Sequence, residues 1–196
     1  LRDIRDGAML CVGWAAALRQ SELVGLDLDR WGGRNGGGTG FLRIDRRGLT
    51  IELNTSKASQ MTPQSVFIAY AEMPSMRPWL VRWIGAAGIS RGTALFRSVD
   101  RFGRIGERLE PEAVCNMIRE RMLEHFLRQG LDGHEARIAA QAYSGHSLRA
   151  GWCSSAADVG VPEWRIRTRS RHASPITTAK YIRLAEQRRE TATHGV

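Results

Sequence analysis

Two short alternating runs in the first third of the chain constrain the fold more than any other feature. Residues 41–44 and 49–53 alternate apolar with polar side chains, and the turn 46–48, which contains a glycine, separates them. Period-two alternation on both sides of such a turn predicts a β-hairpin. A third run, residues 66–70, is rich in β-branched and aromatic side chains and is expected to add one more antiparallel strand.

Helical patterns occupy most of the remaining chain. The predicted helices cover residues 5–18, 21–26, 78–87, 111–129, 147–159, 162–169 and 176–189. Some begin at a proline or end before a glycine, as helices often do. The longest apolar run, residues 8–18, is much shorter than the roughly 20 residues that a membrane span needs. We therefore predict one mainly α domain over residues 1–196, with a small three-stranded antiparallel sheet in an α+β arrangement.

The charge of the chain indicates a class of partner. A formal net charge of +9 predicts a polyanion, most commonly nucleic acid. On charge alone, a ribosome-associated protein or an ordinary basic soluble protein stays open. Among 29 basic residues only Lys57 and Lys180 are lysines. Lysine can be tuned to release a proton near neutral pH and arginine cannot, so these two are candidate proton donors, with chance as the rival explanation.

Cysteine usage argues against a disulfide framework. Cys11, Cys115 and Cys153 are odd in number and far apart, and none belongs to a C-x-x-C pair. We therefore expect a reducing compartment, the cytoplasm, with neither a structural metal nor another cofactor.

Four separated segments contain side chains that together suggest a chemistry. They are Arg19 with Glu22 in Leu-Arg-Gln-Ser-Glu-Leu, Lys57 beyond the second strand, His146 with Arg149 in Ser-Gly-His-Ser-Leu-Arg, and His172 with Tyr181 nine residues later in Tyr-Ile-Arg. Singly, each has an ordinary explanation, such as a surface arginine or a tyrosine packed in the core. As an ordered set with these spacings, they are specific.

This ordered set resembles the tyrosine recombinase, or phage integrase, family over nearly the whole chain, up to about Arg183, and is most similar to its Cre-like members. The resemblance implies the catalytic-domain fold and a site-specific DNA recombinase that cuts and rejoins strands through a 3′-phosphotyrosyl intermediate. Two rivals stay open: a type IB topoisomerase-like or telomere-resolvase-like nicking and closing enzyme, and a non-catalytic DNA-binding regulator.

The resemblance implies a role for each arginine and tyrosine of the set. Arg19 and Arg149 would clamp the phosphate, because guanidiniums offer forked donors to its oxygens. Tyr181 would be the nucleophile. Tyr143, too close in sequence to the first histidine, and Tyr70, in an apolar strand, are weaker rivals.

The other residues of the set would assist. By resemblance, Lys57 is the general acid for the 5′ oxygen, and His146 assists proton transfer. His172 would contact the phosphate or position the tyrosine, and Glu22 would support the site. Many family members have glycine where this chain has Arg171, and we expect that larger side chain to shift His172.

The implied partner is double-stranded DNA. Two protomers would bind one site, two sites would assemble as a tetramer, and a helical N-terminal domain outside this chain would complete a clamp around the duplex. The predicted DNA-binding residues are Arg165, Arg167, Arg169, Lys180 and Arg183.

Overall fold

A computed structural model describes the backbone of residues 1–30, 37–54 and 64–193 and, in the last helix, the side chains up to residue 188. The described residues are mainly helical, as predicted, with a small sheet. The helices are α1 (Arg2–Ala15), α2 (Gln20–Val24), α3 (Met76–Ala87), α4 (Pro111–Arg128), α5 (Gly133–Gln141), α6 (Ser147–Asp158), α7 (Glu163–Ser170) and α8 (Pro175–Thr193). No helix within the described ranges combines the length and the apolar character that crossing a membrane requires.

The main sheet has the strand order β1–β2–β3–β4. Strand β3 (Gly48–Leu53) is antiparallel to β2 (Gly40–Ile44) and to β4 (Gln64–Ala69), which confirms the predicted hairpin and third strand. The prediction of a three-stranded antiparallel sheet is nevertheless wrong, because β1 (Leu26–Leu28) pairs in parallel with β2 and makes the sheet four-stranded and mixed.

The elements that the sequence did not indicate are short or poor in apolar periodicity. Strand β1 is only three residues long and all of them are buried, so it shows no alternation. Strands β5 (Arg97–Val99) and β6 (Ile105–Arg108) form a separate antiparallel pair. Helix α5 begins at Asp132, whose carboxylate accepts the backbone N–H groups of residues 134 and 135, an N-cap that stabilises this helix.

The first core lies between α1, the main sheet, α3 and α4. It is built from large aliphatic, methionine and aromatic side chains, and Met9, Leu42, Ile68 and Trp83 are fully buried in it. This apolar area removed from water is the main stabilisation available to the fold.

The second core joins α6, α7 and α8 to the end of α1. Its buried members are mostly small, and they are Ala17, Trp152, Cys153, Ala156, Ala157, Ile166 and Ala185. The small side chains allow the three helices to approach one another closely. Polar groups of these helices are buried beside the second core, and the candidate site is built from them.

Candidate active site

A cleft of about 1180 Å³ opens between the start of α2, the end of β3, the start of β4 and helix α7. Arg19 and His172 line it from opposite elements, and Asn54 and Gln64 line it from the sheet. A smaller hollow of about 630 Å³, lined by His146, lies on the other side of the same Arg19. Arg19 therefore stands between two concave surfaces.

The turn between α1 and α2 places Arg19. Helix α1 ends at Ala15, and Ala17 takes a positive φ of 48° that reverses the chain. Arg19 then caps α2 in an extended conformation. Glu22 accepts its backbone N–H at 2.8 Å through Oε2 and its Nη1 at 2.6 Å through Oε1. One carboxylate thus fixes both the start of α2 and the Arg19 guanidinium, whose side chain stays 51% exposed.

Arg149, unlike the exposed Arg19, lies in a buried environment. Its side chain is buried on α6, with 1% of the residue exposed, and its Nη1 donates to the carbonyl of Ala17 at 3.1 Å. Burial, together with the positive charges of Arg19 and Arg171, lowers the pKa of Arg149 to about 10. The guanidinium remains charged at neutral pH in surroundings that disfavour a cation, so an incoming anion would be favoured there.

Arg171 follows α7 in the left-handed conformation, with φ 56° and ψ 42°. Its side chain turns inward, where Nη1 donates to the carbonyl of Ala16 at 3.2 Å and Nη2 to that of Ala17 at 3.1 Å. Nη2 also lies 2.8 Å from Oε2 of Glu22. This inward position was not predicted, because a large charged side chain beside His172 was expected to shift the imidazole.

His172 is 8% exposed, and its Nδ1 lies 2.9 Å from Oγ1 of the buried Thr178 on α8. Burial and the nearby cations, Arg149 foremost, lower the pKa of His172 to about 4, so the ring is neutral at pH 7. The ring stacks on Tyr181, with centroids 6.0 Å apart and planes within 6°. Arg171 therefore does not keep His172 from the tyrosine.

Tyr181 is half-buried on α8 against the second core. Burial raises the pKa of its phenol, as does Cys153, while the charge of Arg149 opposes the rise. His146 begins α6, and burial, Arg149 and Arg19 lower the pKa of its imidazole. The phenol is thus protonated at neutral pH, and the imidazole is neutral and able to accept a proton.

The structure brings most of the predicted site residues together. Arg149 influences the pKa of His146, His172 and Tyr181, and Arg19 influences that of both histidines. Glu22 joins the group through its bond to Arg19. The predicted general acid, Lys57, lies outside the described residues.

The rival tyrosines have other surroundings. Tyr70 packs with the first core beneath the guanidinium of Arg77, whose carbon is 5.6 Å from the ring centroid. Tyr143 packs against Phe126, with centroids 6.1 Å apart.

Comparisons with known proteins show which sequences and folds this chain is similar to. No protein-family model matches the chain. An "Integrase/recombinase xerD homolog" of Selenomonas ruminantium is 28% identical over 187 residues, which cover 93% of this chain and 48% of the relative. The chain therefore spans about half the length of this curated relative.

Solved structures share the architecture. The XerH site-specific recombinase bound to palindromic difH substrate, a post-cleavage complex, aligns with a TM-score of 0.62 and 16% identity over 97% of this chain and 45% of that one. The pre-cleavage complex of XerH with difH substrate aligns with a TM-score of 0.61 and 15% identity over 94% of this chain and 44% of that one. The Tn1549 transposon integrase in complex with transposon right end DNA aligns with a TM-score of 0.55 and 15% identity over 93% of this chain and 57% of that one.

The chain has a tyrosine recombinase catalytic-domain fold. Its sequence is similar to that of the XerD homologue, and its fold is that of the solved recombinase and integrase structures.

Four of the five predicted DNA-binding side chains are exposed on this recombinase fold. They are Arg165 and Arg167 on α7 and Lys180 and Arg183 on α8. Arg165 lies over the ring of Trp164, which is 64% exposed beside the cleft.

Arg169 is only partly exposed, and its guanidinium has several partners within the chain. Among the exposed members of the set, Arg167 makes one long hydrogen bond, from Nε to the carbonyl of His172 at 3.4 Å. Arg169 pairs with Glu72, donates to the carbonyl of Phe67 at 3.4 Å and lies over the ring of Trp152. These contacts tie α7 to the end of the sheet. DNA contact by Arg169 stays a prediction, and the structure shows only this internal role.

The sequence did not indicate two polar residues of the site, Arg171 and Thr178. Thr178 has no motif of its own, but it lies six residues after His172, where a buried hydroxyl can meet the imidazole. For Arg171 the available signal was its position, immediately before the histidine and at the end of a helix.

Proposed function

We propose that residues 1–196 form the catalytic domain of a site-specific DNA recombinase that cleaves and rejoins DNA through Tyr181. The relatives' names supply the class: a XerD homologue, the XerH recombinase bound to its difH substrate and a transposon integrase bound to transposon-end DNA. The net charge of +9 and the exposed basic side chains of α7 and α8 suit a DNA partner.

One observation carries the proposal: the convergence of Arg19, Arg149, two neutral imidazoles and the Tyr181 phenol. A phosphodiester resists attack because its non-bridging oxygens are negative, and that charge grows as a fifth oxygen approaches phosphorus. In this proposal Arg149, already in place and poorly solvated, stabilises the growing charge together with Arg19. Preorganised donors of this type account for much of enzymatic rate enhancement.

In the proposed cleavage step, one ester of phosphorus replaces another. The Tyr181 oxygen forms a bond to phosphorus, and the bond from phosphorus to the 5′ oxygen breaks, leaving a 3′-phosphotyrosyl ester and a free 5′ hydroxyl. The phenol proton passes to a neutral imidazole, for which we propose His146. His172, neutral and held by Thr178, donates a hydrogen bond to the phosphate. Because the ester retains the energy of the broken bond, the 5′ hydroxyl of a second strand can reverse the step without ATP.

The departing 5′ oxygen needs a proton, and we propose Lys57 as its source. Asn54 and Gln64, the described residues nearest in sequence on either side, both line the cleft. Glu22 contributes by holding Arg19, and its pKa lies below the ordinary range, because burial, which raises it, is outweighed by Arg171 and Arg19. The carboxylate is therefore ionised at neutral pH.

The remaining parts of the proposal concern assembly and location. We propose two protomers for each DNA site and a tetramer for strand exchange, with phosphate contacts from Arg165, Arg167, Lys180 and Arg183. We also propose a Cre-like member of the family, on the sequence of its histidine-arginine and tyrosine motifs, that acts in the cytoplasm.

The test is covalent capture of DNA. A library of nicked duplexes with a randomised centre is incubated with the protein, and DNA that stays attached after denaturation is recovered and sequenced. The nick lets the fragment beyond the cut diffuse away, so the ester accumulates. We expect one enriched sequence and a peptide adduct at Tyr181. Tyr181→Phe should form no adduct, because it lacks the attacking oxygen.

Tyr143→Phe is the matched control and should form the adduct at the wild-type rate. Wild-type protein that captures no duplex, or Tyr181→Phe that captures as much as wild type, would refute the proposal. Relaxation of supercoiled plasmid without enrichment of any sequence would replace it with a topoisomerase-like activity.

A further inference from the structure

The side chain of Arg171 occupies an unusual place for a residue at the end of a helix. A left-handed backbone is unfavourable for any residue with a Cβ and is usually taken by glycine. Arg171 takes it with φ 56°. Its side chain is only 4% exposed, although a long cation normally extends into water. Both features cost free energy, so the contacts that the side chain makes must offset that cost.

One of those contacts is local, from Nη1 to the carbonyl of Arg169 at 2.7 Å, and the others reach the joint between α1 and α2 and the Glu22 carboxylate that follows it. Arg171 donates to the carbonyls of Ala16 and Ala17, and Arg149 donates to the second of these as well. Two guanidiniums from separate helices thus hold the turn in which Ala17 has its positive φ. This turn directly precedes Arg19, so its position determines where the exposed guanidinium enters the cleft.

Glu22 extends the connection to the site. Its Oε2 accepts from Arg171 Nη2 at 2.8 Å and from the backbone N–H of Arg19 at 2.8 Å, while Oε1 accepts from Arg19 Nη1 at 2.6 Å. With Arg171 absent, this carboxylate would keep Arg19 as its one charged partner among the residues that the structure describes. It would then be free to rotate, and Arg19 could rotate with it.

We propose that Arg171 is a positioning residue that fixes the turn before α2 and the Glu22 carboxylate, and through them sets the orientation of the Arg19 guanidinium in the cleft. The inference rests on the proposed function, in which Arg19 binds the phosphate under attack. It adds a residue of this chain that acts through another and does not itself touch DNA.

A purely structural role for Arg171 makes a different prediction. If the side chain served only stability, the cleavage rate of folded protein would be insensitive to it. Glycine and alanine separate the two roles, because both remove the guanidinium while glycine tolerates the left-handed backbone better. Arg171→Gly should therefore melt at a higher temperature than Arg171→Ala.

The experiment compares Arg171→Ala, Arg171→Gly and Arg171→Lys with wild type on the nicked duplex recovered by covalent capture. The rate of adduct formation is measured in a single turnover at saturating protein, beside the Kd for the duplex and the melting temperature. We expect the alanine and glycine variants to be slowed alike, by about 10- to 100-fold, as misplacing a catalytic group does. Their Kd should be unchanged. Lysine should restore part of the rate through one bond to Glu22.

Arg137→Ala, which removes an exposed arginine from α5, is the control and should keep the wild-type rate. The inference fails if Arg171→Ala forms adduct at the wild-type rate, or if the rate follows the melting temperature and recovers in Arg171→Gly. In either case, a covalent DNA adduct at Tyr181 of the wild-type protein would still support the proposed function. Wild-type protein without any adduct overturns both.

Discussion

The two cores of the molecule differ in what they bury. The first packs large apolar side chains from α1, the main sheet, α3 and α4. The second is assembled mostly from alanines, and buried polar groups lie on the helices around it, among them Arg149, Ser170, His172 and Thr178. The first core removes apolar area from water, and the charges buried beside it are held in opposite pairs, Arg5 with Asp6 and Asp27 with Arg108. The second region instead buries the Arg149 cation against a backbone carbonyl, together with other hydrogen-bonding groups.

Stability and chemistry are therefore assigned to different regions of this small chain. Burying a cation opposes folding, because the charged form loses its hydration. A region that holds Arg149 and His172 in this way depends on the remainder of the fold for its stability. The first core should therefore dominate the free energy of unfolding, and the second region should dominate the reaction rate.

The largest effect is expected from Trp83, whose side chain is fully buried in the first core and donates from Nε1 to the carbonyl of Leu95 at 2.8 Å. Trp83→Ala should lower the free energy of unfolding by about 3–5 kcal/mol, since it leaves a cavity and an unpaired carbonyl. Urea unfolding followed by circular dichroism measures this. Trp164→Ala, at an exposed position, should change the same quantity by less than about 1 kcal/mol. A small decrease in the free energy of unfolding of Trp83→Ala would contradict the proposed difference between the two cores.

Arg149→Met, in the second region, should lower the reaction rate strongly without lowering the free energy of unfolding. We expect the adduct to form about 10²- to 10³-fold more slowly, the usual cost of removing one preorganised donor. The free energy of unfolding should stay equal or rise, because methionine removes a buried charge and Arg171 still donates to the carbonyl of Ala17. Single-turnover cleavage and urea unfolding test the two halves separately. A variant that unfolds more easily by about 3 kcal/mol or more would show that the buried guanidinium is a net stabiliser.

The fold could be predicted from the sequence only where a segment shows a regular pattern of buried residues. The hairpin of residues 41–53 and the long helices were predictable, because period-two and helical patterns follow directly from which face is buried. Strand β1 was not, because three buried residues carry no period and its partner depends on the path of the whole chain. Helix α5 depends on the cap at Asp132 more than on an apolar stripe.

Site residues could be predicted where their type and order in the sequence identify them. They could not be predicted where their position depends on the backbone conformation. Arg19, Arg149 and Tyr181 could be predicted because their motifs, taken in order, resemble those of the tyrosine recombinase family. The inward course of Arg171 could not, because it depends on a left-handed backbone and on carbonyls of a distant turn. The internal pairing of Arg169 with Glu72 joins residues 97 positions apart, which no local pattern reveals.

The smallest of the expected effects concerns pH and His172. Its pKa is lowered to about 4 from its ordinary value of 6.5, first by burial and then by the charges of Arg149 and Arg19. Between these values the unfolded chain binds a proton that the folded protein does not, so acid favours unfolding. We expect this group alone to reduce the free energy of unfolding by about 3 kcal/mol as the pH falls from 6.5 to 4, with no penalty above that window.

His172→Asn isolates this contribution, because asparagine keeps a polar group near Thr178 but does not titrate. Urea unfolding at several pH values should show a smaller loss of stability in the variant than in wild type on acidification, while all carboxylates contribute equally to both proteins. Hydrogen exchange at pH 4.5 should then show α7 and α8 opening before α1 and the sheet, because protonation strains only the second region. Parallel stability curves for the two proteins would mean that the imidazole is as well solvated in the fold as in the unfolded chain.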